Sequence, residues 1–310
     1  MPTPIPCVSW RKHAPRRAAC CGRSAHEIRL AGVSDDARAR IFVGDIEVDA
    51  VPPNDRGLAY GDGVFETMRA FGGSVPWWAR HWQRLTRGID LLGIKAPDEA
   101  RVREAAESLL EGCDSVIKLI VTRGMGTRGY GPSPSQPTWI VSRHPVPKHV
   151  EAITLRWCHL RLAEQPALAG IKHCNRLEQV LARAEWLHLP PDEMYADDGL
   201  MLDSQGHVVG ATAGNVFALR NGHWLTPPLD RCGVRGVCRE WVLAEPGAAE
   251  ARLAPSDIRS ADAIFVCNAV RGILPVARLG DRTWSLHPQV ARLRARLAEA
   301  NPAFAPMESP

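Results

Sequence analysis

Two prolines in three residues, in His144-Pro145-Val146-Pro147-Lys148-His149, constrain this chain more than any other stretch. A residue that precedes proline is pushed out of the helical region, so the segment reads as an extended connector between two folding halves. The 310 residues are enough for two ordinary cores. The expected layout is an N-terminal domain over 40–145, a linker over 146–150, a C-terminal domain over 151–302 and a tail over 303–310. Residues 1–39 differ from the rest. They hold Pro2, Pro4, Pro6 and Pro15 beside a basic cluster, Arg11-Lys12-His13 and Arg16-Arg17, with no apolar stretch of the kind a secretory leader carries. A poorly ordered extension is expected there.

The first half predicts a hairpin over 41–48 turning at Gly44-Asp45, and a glycine-rich loop over 55–63 that runs into a strand. Helices over 77–92 and 98–111 and strands over 115–123 and 138–142 follow. The second half predicts a strand near 152–157, strands over 200–209 and 215–225, and a hairpin turn at Asn221-Gly222. A helix opens after Gly233-Val-Arg-Gly236, a buried strand covers 263–269, and the chain ends in a helix over 288–299. There is no regular β-α-β alternation and no internal repeat, so the fold class is α+β in two halves.

Composition narrows the function. Apolar residues make up 45% and charged residues 23%, as in soluble globular proteins. A net charge of +4 suits small anionic ligands and does not argue for nucleic acid. No apolar run approaches the ~20 residues of a membrane span. The nine cysteines are odd in number and none form C-x-x-C, which fits free thiols in a reducing, cytoplasmic setting. Neither Gly-x-Ser-x-Gly nor His-Glu-x-x-His occurs, and the 11 histidines show no metal-ligand spacing, so no metal site is expected. Gly124-Met-Gly126-Thr-Arg-Gly129 matches G-x-G-x-x-G formally. Pro132, Pro134 and Pro137 forbid the helix a dinucleotide site needs after it. What remains is a glycine-rich loop with Arg123 and Arg128, either a carboxylate clamp or a solvated loop.

One lysine stands out. Lysine accounts for only five of the 38 Lys and Arg residues, so this composition uses it sparingly. Lys172 follows Gly170-Ile171 and precedes a helix for which Asn175 and Glu178 read as a capping box. Leu177, Val180, Leu181, Ala184 and Leu187/His188 recur at helical spacing and are expected to pack on a core. A lysine on so short and stiff a segment is a candidate covalent amine. Gly233-Val-Arg-Gly236-Val237 before a helix is a candidate phosphate cradle. Arg84 of His81-Trp-Gln-Arg84 is a second phosphate ligand or a surface charge.

Seven motifs occur in order over residues 40–300: Asp55-Arg56-Gly-x-x-Tyr60-Gly-Asp62-Gly63, His81-x-x-Arg84, Arg123-Gly-x-Gly-x-Arg128-Gly-Tyr130, Gly170-Ile-Lys172-His-x-Asn175-Arg-Leu-Glu-Gln, Asn215-Val-Phe217, Gly233-Val-x-Gly236-Val-x-Arg239 and Cys267-Asn268-Ala269. Together they resemble the class-IV pyridoxal-phosphate enzymes, and within them the 4-amino-4-deoxychorismate lyases. The resemblance implies the two-domain fold of D-amino acid aminotransferases (fold type IV), a homodimer, and pyridoxal 5'-phosphate bound between the domains. It makes Lys172 the catalytic lysine that joins the cofactor. Arg84 and Gly236, with the backbone of Val237 and of Asn268-Ala269, would hold the cofactor phosphate. Arg123, Arg128, Lys118 and Asn268 would meet substrate carboxylates. The reaction implied is release of pyruvate from 4-amino-4-deoxychorismate to give 4-aminobenzoate, a folate precursor, with neutral Lys172 as general base.

The sequence departs from that pattern once. Five residues before Asn215, where the family usually carries a glutamate that pairs with the cofactor ring nitrogen, stands Gly210. Losing that carboxylate weakens the ring as an electron sink. A class-IV aminotransferase acting on D- or branched-chain amino acids, and a non-catalytic descendant that binds cofactor or anions, remain the alternatives.

Overall fold

Alternation along the strands and apolar stripes along the helices sort this chain into two sheets. They are described from a computed structural model that covers residues 38–132, 134–186 and 196–305. Residues 1–37 of the predicted 1–39 extension therefore lie outside the described residues, as do Leu187, His188 and residues 306–310 of the tail, whereas Ala39 opens the first strand.

The first sheet is antiparallel, with five strands in the order β2-β1-β5-β4-β3. These are β1 (Ala39–Val43), β2 (Ile46–Val48), β3 (Gly63–Ala70), β4 (Ser115–Thr122) and β5 (Thr138–His144). The predicted Gly44-Asp45 turn joins β1 to β2. Between β2 and β3 the expected loop contains one short helix, α1 (Arg56–Tyr60), which Asp55 caps by accepting from Gly57 N at 2.7 Å. Helices α2 (Trp78–Leu92) and α3 (Glu99–Ser108) cover one face of the sheet. Met68, Leu85, Ile89, Val102, Leu110, Ile117 and Trp139 are buried between them. Period-two alternation on β3 sends Val64, Glu66 and Met68 toward the helices and turns Phe65 and Thr67 to the other face. That alternation sets up the site described below.

The second sheet begins at β6 (Ile153–Leu162) and runs in the order β11-β10-β9-β12-β13-β6-β7-β8, with β14 beside β13. Its other strands are β7 (Asp198–Asp203), β8 (Val208–Ala211), β9 (Asn215–Arg220), β10 (His223–Thr226), β11 (Ala248–Glu250), β12 (Ala263–Asn268), β13 (Gly272–Leu279) and β14 (Arg282–Thr283). Its central strands are buried on both faces, and so read as continuous apolar runs. Val216, Ala218, Ile264 and Val266 pack on one side. Phe217, Leu219, Phe265 and Cys267 pack on the other, under α5 (Val237–Leu243) and α7 (Pro288–Ala300). The remaining helices are α4 (Leu177–Ala184) and α6 (Pro255–Arg259). No helix among the described residues is long and apolar enough to cross a membrane.

The helix after the lysine departs from expectation. Leu177, Val180 and Leu181 on α4 are 75, 57 and 58% exposed, and Ala182 is the buried residue of this helix. The predicted capping box does not form. Asn175 Nδ2 donates to Gly61 O at 3.2 Å, and Glu178 Oε1 accepts from Ala163 N at 2.8 Å. Both side chains tie the helix to neighbouring segments instead of closing its own end.

Candidate active site

Lys172 is positioned by a segment stitched on both sides. Gly170 N donates to Gly233 O and Gly170 O accepts from Arg235 N, each at 3.0 Å. Two residues on, Lys172 O accepts from Phe65 N at 2.9 Å and Cys174 N donates to Gly63 O at 2.8 Å. The backbone before the lysine is thus held by the second sheet's loop and the backbone after it by β3. Gly170 has φ +85, a conformation that suits glycine.

The Lys172 side chain enters a cavity of about 410 Å³. Phe65, Thr67, Arg84, Gly210, Thr212, Asn215, Gly236, Val237, Asn268 and Ala269 line it as well. Nζ sits 4.2 Å from the centre of the Phe65 ring. Burial, reinforced by the positive charge of Arg84, lowers the Lys172 pKa to about 7, with Arg176 and Lys118 pushing the same way and Glu66 opposing. Near neutral pH much of this amine is unprotonated. It is both a nucleophile and a base.

Arg84 reaches the cavity from α2 and is held in place from behind. Its Nε and Nη2 donate to the two oxygens of Glu66 at 2.8 and 2.5 Å, and Nη1 donates to Arg235 O at 3.1 Å. His81 Nδ1 shares a hydrogen bond with Glu66 Oε2 at 2.6 Å. Burial alone would raise the Glu66 pKa, yet Arg84 and His81 bring it down to about 2. Three of the five guanidinium N–H groups are used, which leaves two for an anion in the cavity. Glu66 was not singled out in the sequence. Its signal was a carboxylate at an inward position of β3, between Val64 and Met68, where an unpaired charge could not stay.

Gly236 caps α5 without a side-chain bond, so first-turn N–H groups of this helix lack intrahelical carbonyls. A Cβ at 236 would fall 2.1 Å from Asn215 Oδ1, and Asn215 in turn donates Nδ2 to Val234 O at 2.9 Å. The close backbone approach is therefore built in. Asn268 Oδ1 accepts from Val270 N and Arg271 N, and its Nδ2 donates to Ala213 O. This side chain mainly shapes the turn whose backbone lines the cavity, with one N–H left for a ligand. Gly210 presents backbone to the cavity, and a Cβ there would lie 2.9 Å from Gly214 O. Thr212 lines the same wall and donates its hydroxyl to Asp198, so toward the cavity its oxygen can only accept.

The lysine, Arg84, the Gly233–Gly236 turn with Val237, Asn268 and Ala269 thus converge. Of the expected carboxylate ligands, Arg123, Arg128 and Lys118 do not. Arg123 clamps a carboxylate of the protein itself: Nε and Nη2 bond to Asp62 at 2.7 and 3.1 Å, and Nη1 and Nη2 also bond to Gly93 O and Leu92 O. Arg56 Nε joins the same carboxylate at 2.8 Å. Arg128 is exposed on its loop and does not line the cavity. Lys118 is not in the lining either. Its Nζ lies 5.6 Å from the Phe65 ring, where it acts on Lys172 by charge. The cation that does line the cavity beside Lys172 and Arg84 is Arg176, a residue to which the sequence reading gave no role.

The donor set fits pyridoxal phosphate: a deprotonable lysine for an aldehyde, and an arginine with free backbone N–H groups for a phosphate dianion. Comparison with known proteins agrees. The family model described as amino-transferase class IV matches residues 63–279. An aminodeoxychorismate lyase of Vibrio harveyi is 34% identical over 259 residues, 80% of this chain and 94% of that protein. A D-alanine aminotransferase of Bacillus licheniformis is 26% identical over 255 residues, 76% of this chain and 84% of that protein. The crystal structure of 4-amino-4-deoxychorismate lyase from Pseudomonas aeruginosa is 38% identical, with a TM-score of 0.76, covering 84% of this chain and 98% of that one. With this match over most of its length, on the two-sheet α+β fold described above, the chain belongs to the amino-transferase class IV family.

Proposed function

We propose that this protein is a pyridoxal 5'-phosphate-dependent lyase that converts 4-amino-4-deoxychorismate into 4-aminobenzoate and pyruvate, supplying a folate precursor. The observation that carries this reading is Lys172, with its pKa lowered to about 7 in a cavity it shares with Arg84 and the Gly236-Val237 backbone. Support for the lyase over other members comes from the similarity to the Vibrio harveyi and Pseudomonas aeruginosa enzymes. When bound, the cofactor supplies an aldehyde that condenses with amines and a ring that stabilises negative charge beside the nitrogen. Arg84 and the N–H groups at 236–237 bind its phosphate. Lys172, once free of the cofactor, takes a proton from the substrate ring carbon that carries nitrogen. Phe65 shields this amine from water on one side. Gly210 supplies no carboxylate, and Thr212, a neutral acceptor, would hold a protonated ring nitrogen more weakly than a carboxylate would. Such a site suits a step driven by formation of an aromatic ring better than reversible amino transfer.

Leu177, Val180 and Leu181 leave an apolar face uncovered next to the site, which supports a homodimer. Six described cysteines are free thiols, in keeping with the cytoplasm. The purified protein should show the visible absorption band of a lysine-bound pyridoxal cofactor and should release pyruvate from 4-amino-4-deoxychorismate. Lys172→Ala should lose both, and turnover retained in that variant overturns the assignment. Amino transfer to 2-oxoglutarate from D- or branched-chain amino acids, without pyruvate release, would mark an aminotransferase instead.

A further inference from the structure

Beside the main cavity lies a second one of about 240 Å³. Leu162, Arg176, Gln179 and Gly233 line both and form the wall between them. Polar atoms in the lining of the side cavity lack partners. Arg176 donates Nε to His173 O at 2.9 Å and Nη2 to Ile171 O at 3.3 Å, while its Nη1 meets no acceptor among the described residues. Gln179 Oε1 and His173 Nδ1 are buried without a hydrogen-bond partner among the described residues. Glu178, the carboxylate in the side cavity's lining, is held by Ala163 N at 2.8 Å. Burial and the nearby Arg176 bring the His173 pKa down to about 4, so its ring is neutral at physiological pH. Arg176 itself, desolvated and facing Arg84, has its pKa lowered to about 10 and stays charged. Unlike Arg84 or Arg123, it has no carboxylate of the protein bonded to it among the described residues.

We propose that the side cavity receives a carboxylate-bearing arm of the substrate, and that Arg176 pairs with the carboxylate of that arm. The identity of the arm rests on the lyase reading. Its substrate carries two carboxylates, one on the ring and one on the enolpyruvyl group that leaves as pyruvate. Simple amino acids carry one carboxylate at the reacting end and have nothing to offer Arg176. The residue would therefore select dicarboxylates over the amino acids that aminotransferases of this family process. Gln179 lies one helical turn on from Arg176 and flanks the same contact.

The test uses holoenzyme with wild-type, Arg176→Gln and Arg176→Lys chains, each checked for its visible cofactor band. Two probes are titrated by calorimetry. Chorismate has both carboxylates and a hydroxyl in place of the amine, and 4-aminobenzoate keeps only the ring carboxylate. R176Q should weaken chorismate about tenfold or more, the loss of one charge-assisted bond, and leave 4-aminobenzoate within about twofold. R176K should recover part of the loss. In turnover, R176Q should raise KM for 4-amino-4-deoxychorismate by more than it lowers kcat. Equal weakening of both probes, or no weakening of chorismate, overturns the proposal. If R176Q cannot hold the band, R176K is judged alone and should weaken chorismate while leaving 4-aminobenzoate within about twofold. If the wild type releases no pyruvate but chorismate affinity still depends on Arg176, the lyase reading fails and the arm site stands. If pyruvate is released and R176Q binds chorismate normally, the reverse holds.

Discussion

A lysine amine set among arginines over an aromatic ring stays folded only at a cost. In the unfolded chain Lys172 binds its proton up to about pH 10.4, and in the fold only up to about 7. Between those values the unfolded state holds more protons, so this group's contribution to stability rises with pH across that window. Below it, the whole penalty is present. Replacing Lys172 by Met should therefore stabilise the cofactor-free protein at pH 7, by about 1–3 kcal/mol once partial solvent access is allowed for. The advantage should shrink toward pH 10, as read from denaturation midpoints of the two chains at each pH. Glu66 behaves oppositely. Its pKa is lowered to about 2, so its stabilising effect is complete above the ordinary carboxylate range and is lost as pH falls toward 2. Glu66→Gln leaves the Arg84 guanidinium without its counter-charge and should cost about 3 kcal/mol at pH 7. The gap to wild type should close in acid. The same change removes the charge that opposes deprotonation of Lys172, so the lysine should titrate lower still.

At the scale of elements, the segment 170–174 works because both of its ends are bonded to something rigid. A side chain at Gly170 meets φ +85 and Cγ and Cδ of Arg235 at 3.3 Å. Gly170→Ala should destabilise by about 1–2 kcal/mol. It should also loosen cofactor retention without touching a ligand, measurable as faster loss of the visible band on dialysis. The same scale explains what could be read in the sequence. The hairpin at Gly44-Asp45, helices α2, α3, α5 and α7, and strands β4, β9 and β12 carry local signals of period or turn chemistry, and each lies near its expected bounds. Strand β13 was hidden by Pro275, which removes a ladder donor and argues against a strand, although it pairs with Phe265 in register. Arg123 looked like a ligand because spacing shows a charge and not its partner. Asp62, its partner, is 61 residues away in the chain. Arg176 was overlooked for the converse reason: a cation before a helix reads as solvated until a cavity is seen on both sides of it.

The α4 stripe was legible as apolar, but a stripe does not say which molecule covers it. Within one chain, Leu177, Val180 and Leu181 face outward. Asn175, at the head of this helix, bonds to Gly61 at the end of α1, whose Leu58 is 71% exposed. Tyr130, 86% exposed, packs its ring near that of Tyr60 in the same helix. These apolar groups lie on segments tied directly to one another and to the loop after β4, where Met125 pairs with Asp55. Exposed apolar groups on linked segments favour association, at about 25 cal/mol per Å² removed from water. A second copy of the chain would cover them on both sides of a twofold axis. Light scattering on the wild-type protein should then return twice the chain's mass. The double change Val180→Glu and Leu181→Glu places two charges on the exposed side of α4, where a monomer has little packing to lose. It should return the single-chain mass with the fold intact by circular dichroism. Because α4 begins at Leu177, five residues after Lys172, separation should also reduce turnover. A wild-type protein of single-chain mass, or a double variant that stays dimeric, would show that this face has another use.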